Sequence, residues 1–317
     1  MKHKKNKTKG IAVAEPEELK EAPHSFVIKR GKIGKLGRAL MLDMRKVLEP
    51  YTASNLKIRK NNVVKDFVAV ASIFHVTHLL CFTRTSKAMY LRFCKLPRGP
   101  TLVFKISKYS LSRDVISSLR KPVVLSKFHL NPPVLVMNGL ADENDLKCKL
   151  MRTMFQNLFP SIDINTVKVS QLKRVVLINY RPDDGLLEFR HYAISLKPVG
   201  ISKPIKKLVC GKKLPNLGKL LSVEDLFNRD LGLSESEGEG LDEVETERHV
   251  KLTENTNKRG NLANEKSAIR LTEVGPRMTL RLIKIEEGLM TGKILFKQSL
   301  KSDDNVESTD GQSNQDE

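Results

Sequence analysis

Lys95-Leu96-Pro97-Arg98-Gly99-Pro100-Thr101-Leu102-Val103-Phe104-Lys105-Ile106 is the stretch whose reading decides the fold. Pro97 and Pro100 fix φ, and Gly99 between them is free of Cβ sterics, so the segment opens as a stiff turn. Arg98 stands at its tip with a guanidinium able to meet an anion. Leu102, Phe104 and Ile106 then alternate with Val103 and Lys105, the period of a half-buried strand. A partial echo comes late in the chain, at Gly275-Pro276-Arg277-Met278-Thr279-Leu280-Arg281-Leu282-Ile283-Lys284-Ile285. There Leu280, Leu282 and Ile285 are expected to face in while Arg281 and Lys284 stay wet. Two such units predict an α/β fold, with mixed sheets, built from two related halves.

Upstream of the first turn, Ser25 to Arg30 reads as a strand, followed by the loop Gly31-Lys32-Ile33-Gly34-Lys35-Leu36-Gly37-Arg38. Leu36, Leu40, Met44, Val47 and Leu48 then share a helical face, and Pro50 stops the helix. Strand, glycine-rich loop and helix is the context in which helix N–H groups meet phosphate. The spacing Gly-x-x-Gly-x-x-Gly is neither a dinucleotide fingerprint nor a P-loop. Contact with a polynucleotide backbone and a plain solvated turn both remain open. Asn55 to Arg59 reads as a short strand. Asn61 or Asn62 is placed to cap a helix burying Val63, Val64, Phe67, Val68, Ala71 and Phe74. His78 to Thr83 and Met89 to Lys95 read as strands, and Ser110 to Arg120 as a short helix.

The second half opens with the apolar strand Pro132 to Met137, ending at Asn138-Gly139. A helix carrying Leu146, Leu150, Met151, Met154, Phe155 and Leu158 on one face follows, with Pro160 as stop. Val175 to Tyr180 and Leu187 to Ser195 form a hairpin across Arg181-Pro182-Asp183-Asp184-Gly185.

Composition bounds the partners. The 317 residues carry a net charge of +20, with 40% hydrophobic and only 5% aromatic residues and no Trp. The length suffices for a sizeable core. The charge favours a polyanion, and the scarcity of aromatics argues against extended base-stacking platforms. Cys81, Cys94, Cys148 and Cys210 lack zinc-ligand spacing and read as reduced thiols of an intracellular protein. No signal peptide is visible and no apolar run approaches the about 20 residues of a span, so a membrane partner is not expected.

Residues 1–22 form a basic arm with five lysines before Gly10, suited to nuclear import or phosphate contact, or simply solvated. From roughly 232 to 266 the chain turns polar and acidic, which reads as a disordered insert. Ser234 and Ser236 each precede a Glu by three residues, a pattern open to an acidophilic kinase. Residues 288–317 read as a polar, acidic tail.

Three stretches come near a catalytic or metal signature without completing one. His75 and His78 stand three apart where a helix pattern gives way to a strand, with no Cys or carboxylate at ligand spacing, so both read as structural. Gly288 to Lys293 is one residue short of a Walker A loop and lacks its Ser/Thr. Asp183 and Asp184 suit a turn. No catalytic group, metal or cofactor is expected.

Leu96-Pro97-Arg98-Gly99-Pro100-Thr101-Leu102 and Glu273-Val274-Gly275-Pro276-Arg277, each launching a strand, resemble the two signatures of the Brix domain. Pro23 to Gly31 and the helix holding Asp43-Met44-Arg45 fit as well. Tyr180-Arg181-Pro182, Phe189-Arg190-His191-Tyr192 and the Ser-Glu-Ser-Glu-Gly run at Ser234 resemble the Peter Pan/Ssf branch. The resemblance covers roughly 23–287, as halves 23–121 and 131–287. It implies halves akin to the anticodon-binding domain of some aminoacyl-tRNA synthetases. By the same resemblance the chain is a non-catalytic nucleolar factor that holds pre-rRNA of the large ribosomal subunit and works with other assembly factors. Relatives in that branch run on into a lysine-rich tail, which residues 302–317 do not provide. On this reading the RNA-binding candidates are Arg30, Lys32, Lys35 and Arg38 in the first loop, Lys57, Arg59 and Lys60, and Arg98 and Arg277 at the turns. Each could instead be solvated, and the two turn arginines could pair inside the fold. Lys95 and Lys105 disfavour that for Arg98, whereas Glu273 lies close to Arg277. A scaffold for protein partners is the runner-up function, and a nucleotide-dependent enzyme a distant third.

Overall fold

The computed structural model describes residues 22–59, 61–119, 128–142, 145–162, 171–198, 249–251 and 266–298. Lys60, Cys210, Ser234, Ser236, the arm before residue 22 and the end after residue 298 lie outside the described residues. The first half runs β1 (His24–Arg30), α1 (Gly34–Leu48), α2 (Val64–Ala71), β2 (Val76–Arg84), β3 (Met89–Lys95), β4 (Thr101–Ser110) and α3 (Ser112–Ser117). The second runs β5 (Val134–Asn138), α4 (Leu146–Gln156), β6 (Arg174–Arg181), β7 (Leu186–Pro198), β8 (His249–Lys251), β9 (Lys266–Glu273), β10 (Arg277–Glu286) and β11 (Ile294–Lys297).

These strands form one 11-stranded mixed sheet in the order β1-β2-β3-β4-β10-β7-β6-β5, with β11 on β10, β9 on β7 and β8 on β9. β1 is parallel to β2, and β5 to β6, while the other ladders are antiparallel. Each half thus repeats strand, helix, parallel strand and antiparallel return. The halves join where β4 pairs β10, with Thr101 opposite Glu286 at one end and Ser110 opposite Arg277 at the other.

The two basic turns therefore sit at opposite ends of the central strand pair. Gly99 has φ +108°, and a Cβ there would lie 2.5 Å from the Glu287 carbonyl oxygen. Gly275 has φ +73°, and a Cβ would lie 3.1 Å from Val115 and 3.2 Å from the Ser112 Cα. Each turn rests on the segment that follows the other central strand, so only glycine permits both the conformation and the approach. The Gly99-Pro100 and Gly275-Pro276 peptide bonds are both cis. Thr101 secures the first contact: its hydroxyl donates to the Gly288 carbonyl at 2.8 Å and accepts the Met290 N–H at 2.9 Å. The stretch from Gly288 to Lys293 is thus a buttress for the first turn.

One large core lies between a sheet face and the helices α1 and α4. It contains Leu40, Met44 and Val47 of α1, Met151, Met154 and Phe155 of α4, and the alternating sets Leu102, Phe104, Ile106 and Leu280, Leu282, Ile285. The inward sets of both strands enter this core as expected, but Val103 on the other face of β4 is also buried, Arg281 is half-buried, and a bulge between Leu282 and Lys284 brings Ile285 inward. Phe155 reaches across the halves, its ring 5.3 Å from Phe93 and 6.1 Å from Phe104. A smaller core on the opposite face packs Phe67 and Ala71 of α2 on Phe26, Ile28, Leu79, Cys81 and Cys94.

Several expectations need correction. Asn55 to Arg59 is not a strand, because the Ser54 and Leu56 carbonyls go to the Arg45 guanidinium at 3.1 Å rather than to a ladder. Helix α2 is capped by the Asp66 carboxylate on the Val63 N–H at 2.8 Å, not by Asn61 or Asn62, and Val63 and Phe74 are exposed. Leu36 and Leu146 occupy first helical turns off the buried stripe and are exposed. The acidic insert contains β8, which pairs β9. The fold also continues past 287: Leu289 and Met290 pack on the smaller core, and β11 pairs β10.

Candidate nucleic-acid interface

Arginines divide here into those that build the fold and those that face water. Arg45 is buried in α1; its Nε and NH2 donate to the Val27 carbonyl at 3.1 and 2.8 Å, so it satisfies the outer edge of β1. Burial lowers its pKa. Arg174 of β6 is fully buried. It donates to the Asn131, Lys46 and Val47 carbonyls at 2.7–3.1 Å, and to that of Glu49. It collects the last carbonyls of α1, which lack intrahelical donors, and ties the second half to the first. Desolvation pulls it down to about 10. Neither residue could be told from a surface cation by spacing alone.

The first loop gives the opposite picture. Arg30 ends β1, Lys32 follows it, and Lys35 and Arg38 lie on the first turns of α1; all four are exposed. The helix begins at Gly34, so the glycine-rich loop is shorter than its sequence suggested. No acidic residue stands in the first turn of α1 and no side chain caps it. Arg84, at the end of β2, joins the group: its NH1 would touch a Cβ on Gly34 at 3.0 Å. Arg84 carried no sequence signal, since only the parallel β1–β2 ladder brings it here. None of the five has a carboxylate partner among the described residues. The corresponding loop of the second half, after β5, carries Asp142 and Asp145 instead, with Asp145 capping α4 through the Lys147 N–H at 3.0 Å.

Lys57 and Arg59 are exposed in a segment that starts parallel to β1 at the Ser25–Thr52 bridge and advances toward Arg30. Arg98 is exposed, without an ion-pair partner among the described residues, but at the other end of the sheet. The ladders put Arg30 level with Lys105, so Arg98 is roughly 20 Å or more from the first loop. Arg277 is not available in the same way. Its Nε and NH2 grip the Glu273 carboxylate at 2.6 and 2.8 Å, which raises its pKa. Its Nε–NH2 edge is thus taken up by an ion pair within the fold.

A cleft of about 160 Å³ lies beside it, lined by Lys108, Tyr109, Ser110, Glu188, Arg190 and Arg277 among others. Its two arginines are engaged by Glu188 and Glu273. His191 lies buried near that end, its ring nitrogen 2.9 Å from the Gly275 carbonyl, and desolvation drives it down to about 4. His78 is fully buried and lowered to about 3, first by desolvation and then by Lys95. Burial pushes the Cys81 thiol up to about 11 and Cys94 to about 12.

A duplicated mixed sheet with paired Gly-Pro turns and a basic first loop defines a class, and comparison with known proteins identifies it. The Brix domain profile matches residues 31–284, and the chain belongs to the Brix domain family. It is 46% identical to the mouse "Suppressor of SWI4 1 homolog" over 93% of this chain and 62% of that protein. It is 42% identical to "Protein Peter pan" of Drosophila melanogaster over 96% of this chain and 65% of that one. "Ribosome biogenesis protein SSF1" of Saccharomyces cerevisiae is 32% identical over 94% of this chain and 78% of its own length. The chain thus spans less than two thirds of the first two relatives.

Proposed function

We propose that this chain is a non-catalytic factor of ribosome biogenesis that binds pre-rRNA of the large subunit in the nucleolus. Family membership and the name of the yeast relative support the ribosomal setting. The observation that carries RNA binding is the basic group Arg30, Lys32, Lys35, Arg38 and Arg84 at the end of the first-half strands, which has no carboxylate partner among the described residues, where the equivalent second-half loop carries Asp142 and Asp145. Phosphates would displace counterions at these side chains, with Lys57, Arg59 and Lys60 extending the surface and Arg98 a separate contact. The folded unit would run from residue 23 to about 298 and include β8, with the arm and the remainder of the acidic insert as appendages. Ser234 and Ser236 are proposed phosphorylation sites whose added charge competes with RNA for the basic loop.

The test is a titration of large-subunit rRNA against salt. Replacing Lys32, Lys35 and Arg38 together by Ala should reduce the log–log slope by roughly 2, about 0.7 for each single-strand contact removed. An unchanged slope would move the binding surface elsewhere. A second reading, a scaffold for other assembly factors, is favoured by Ile269 and Leu271, which lie exposed on one side of β9 beside exposed Val250.

A further inference from the structure

Helix α2 is apolar on two sides. Phe67 and Ala71 face the smaller core, with Val64 and Val68 partly buried beside them. Val63, Val70, Ile73 and Phe74 lie off that side and are 58%, 41%, 72% and 60% exposed. They fall on one helical stripe, since residues three, four and seven apart stack on the same side. The end of the helix keeps the stripe together: the Ile73 and Phe74 N–H groups both donate to the Val70 carbonyl, at 3.1 and 3.4 Å. His75, at φ +51°, then turns the chain into β2. Lys65 and Asp66 are the only charged residues of α2, and Asp66 is engaged by the Val63 N–H.

A helix that is apolar nearly all round belongs in an interior, and one left open on an apolar side calls for a cover. The chain's own N-terminal arm, residues 1–21, enters the fold beside this patch. It joins the described residues at Ala22, and His24 at the start of β1 pairs in parallel with Val76, two residues beyond Phe74. The Thr77 hydroxyl fastens that point by donating to the His24 carbonyl at 3.1 Å. One strand spacing and two residues of chain place His24 within roughly 12 Å of Phe74. Residues 1–21 hold one apolar block, Ile11-Ala12-Val13-Ala14, between the lysines before Gly10 and the glutamates Glu15, Glu17, Glu18 and Glu21. The stretch 14–22 can span up to roughly 26 Å when extended, whereas α2 is about 12 Å long, so the block reaches the whole patch. The other end of the chain holds no such block: the large apolar residues of 299–317 are Leu300 and Val306, six apart.

We propose that the N-terminal arm folds back on α2 and packs Ile11 and Val13 on Val70, Ile73 and Phe74. In an extended segment alternate residues lie on one side, so Ile11 and Val13 meet the patch together. Tethering favours this occupant over a separate molecule: a short linker holds the block at an effective concentration in the millimolar range, so a small contact suffices. Docking of the arm is separate from RNA binding and does not depend on it.

The experiment uses the full chain carrying the photocrosslinker p-benzoylphenylalanine in place of Val13. Irradiation should give crosslinks within one chain to the peptide containing Val70, Ile73 and Phe74, read by mass spectrometry of the monomer band. The same crosslinker in place of Val306 should give none to that peptide. In a second measurement, Ile11→Asp together with Val13→Asp should raise the fluorescence of an apolar dye roughly twofold or more by uncovering the patch. Both substitutions lie in the arm, so the described fold is untouched. Adding Phe74→Ser, at an exposed position, should remove most of that gain. Crosslinks confined to other peptides overturn the docked arm, and so does dye fluorescence that the double substitution leaves unchanged. Crosslinks from position 13 that join two chains also overturn it and assign the face to a second copy of this chain.

Discussion

Arg98 and Arg277 occupy comparable positions beside Gly-Pro turns, yet one faces water and the other holds a carboxylate. The difference is a single neighbour, Glu273, four residues before Arg277 on the end of β9. Arg277→Ala should cost roughly 1–2 kcal/mol, a bidentate charged hydrogen bond discounted because the arginine is half exposed. Arg98→Ala should leave the melting temperature within the error expected of roughly 0.5 kcal/mol and weaken RNA binding instead. Paired thermal melts and RNA titrations decide between these roles; equal stability losses in both variants would refute the distinction. The buried histidines make a second residue-scale prediction. Folded His191 and His78 have pKa values pushed down to about 4 and about 3, against about 6.5 in the unfolded chain. Their contribution to stability is therefore complete above pH about 6.5 and is lost as pH falls toward the folded values, by up to about 1.4 kcal/mol per pH unit for each. The structural reason is that protonation would place a proton on an Nε2 that is buried without a partner among the described residues. Melting temperature measured between pH 6 and 5 should fall, and His191→Gln should roughly halve the slope. A pH-independent melt would contradict the burial of both rings.

At the scale of elements, the two Gly-Pro turns and the strands they launch form one interlocked unit. Gly99 is the tighter of the two approaches, since its Cβ would collide with backbone that Thr101 holds in place. Gly99→Ala should therefore destabilise by roughly 2–4 kcal/mol, combining a left-handed φ with a backbone clash. Gly275→Ala should cost less, because part of what it meets is the Val115 side chain, which can give. Chemical denaturation of the two variants tests the order; a Gly275 variant worse than the Gly99 one would mean that the first turn shifts freely. The strand alternation after each turn was legible in the sequence because a period of two needs no knowledge of partners. The segment from Asn55 to Arg59 was not, because the Ser54 and Leu56 carbonyls at its start go to the Arg45 side chain rather than to a neighbouring strand.

For the whole molecule, the repeat could suggest two independent halves, but α4 of the second half lies over β3 and β4 of the first. Phe155 touches Phe93 and Phe104, and Arg174 receives the end of α1. Unfolding should therefore be a single cooperative transition through the described fold. Phe155→Ala should lower stability by roughly 3–5 kcal/mol without splitting it. Two separated transitions in circular dichroism and tryptophan-free fluorescence of the tyrosines would show that the halves fold apart.

The chain by itself determined the elements and their polarity: two Gly-Pro turns, two alternating strands, a basic first loop and a charge suited to a polyanion. These follow from local sterics and from short periodicities, which act between residues close in sequence. The motif resemblance also identified the family. Which cations meet was decided only by tertiary structure. Arg45 and Arg174 look like surface charges until α1 and β6 bury them, and Arg277 looks like Arg98 until β9 brings Glu273 beside it. Arg30 and Arg84 come from β1 and β2, and no spacing along the chain relates them. They meet at the start of α1 because strand register, fixed by which side chains must enter the shared core, sets every residue's level across the sheet.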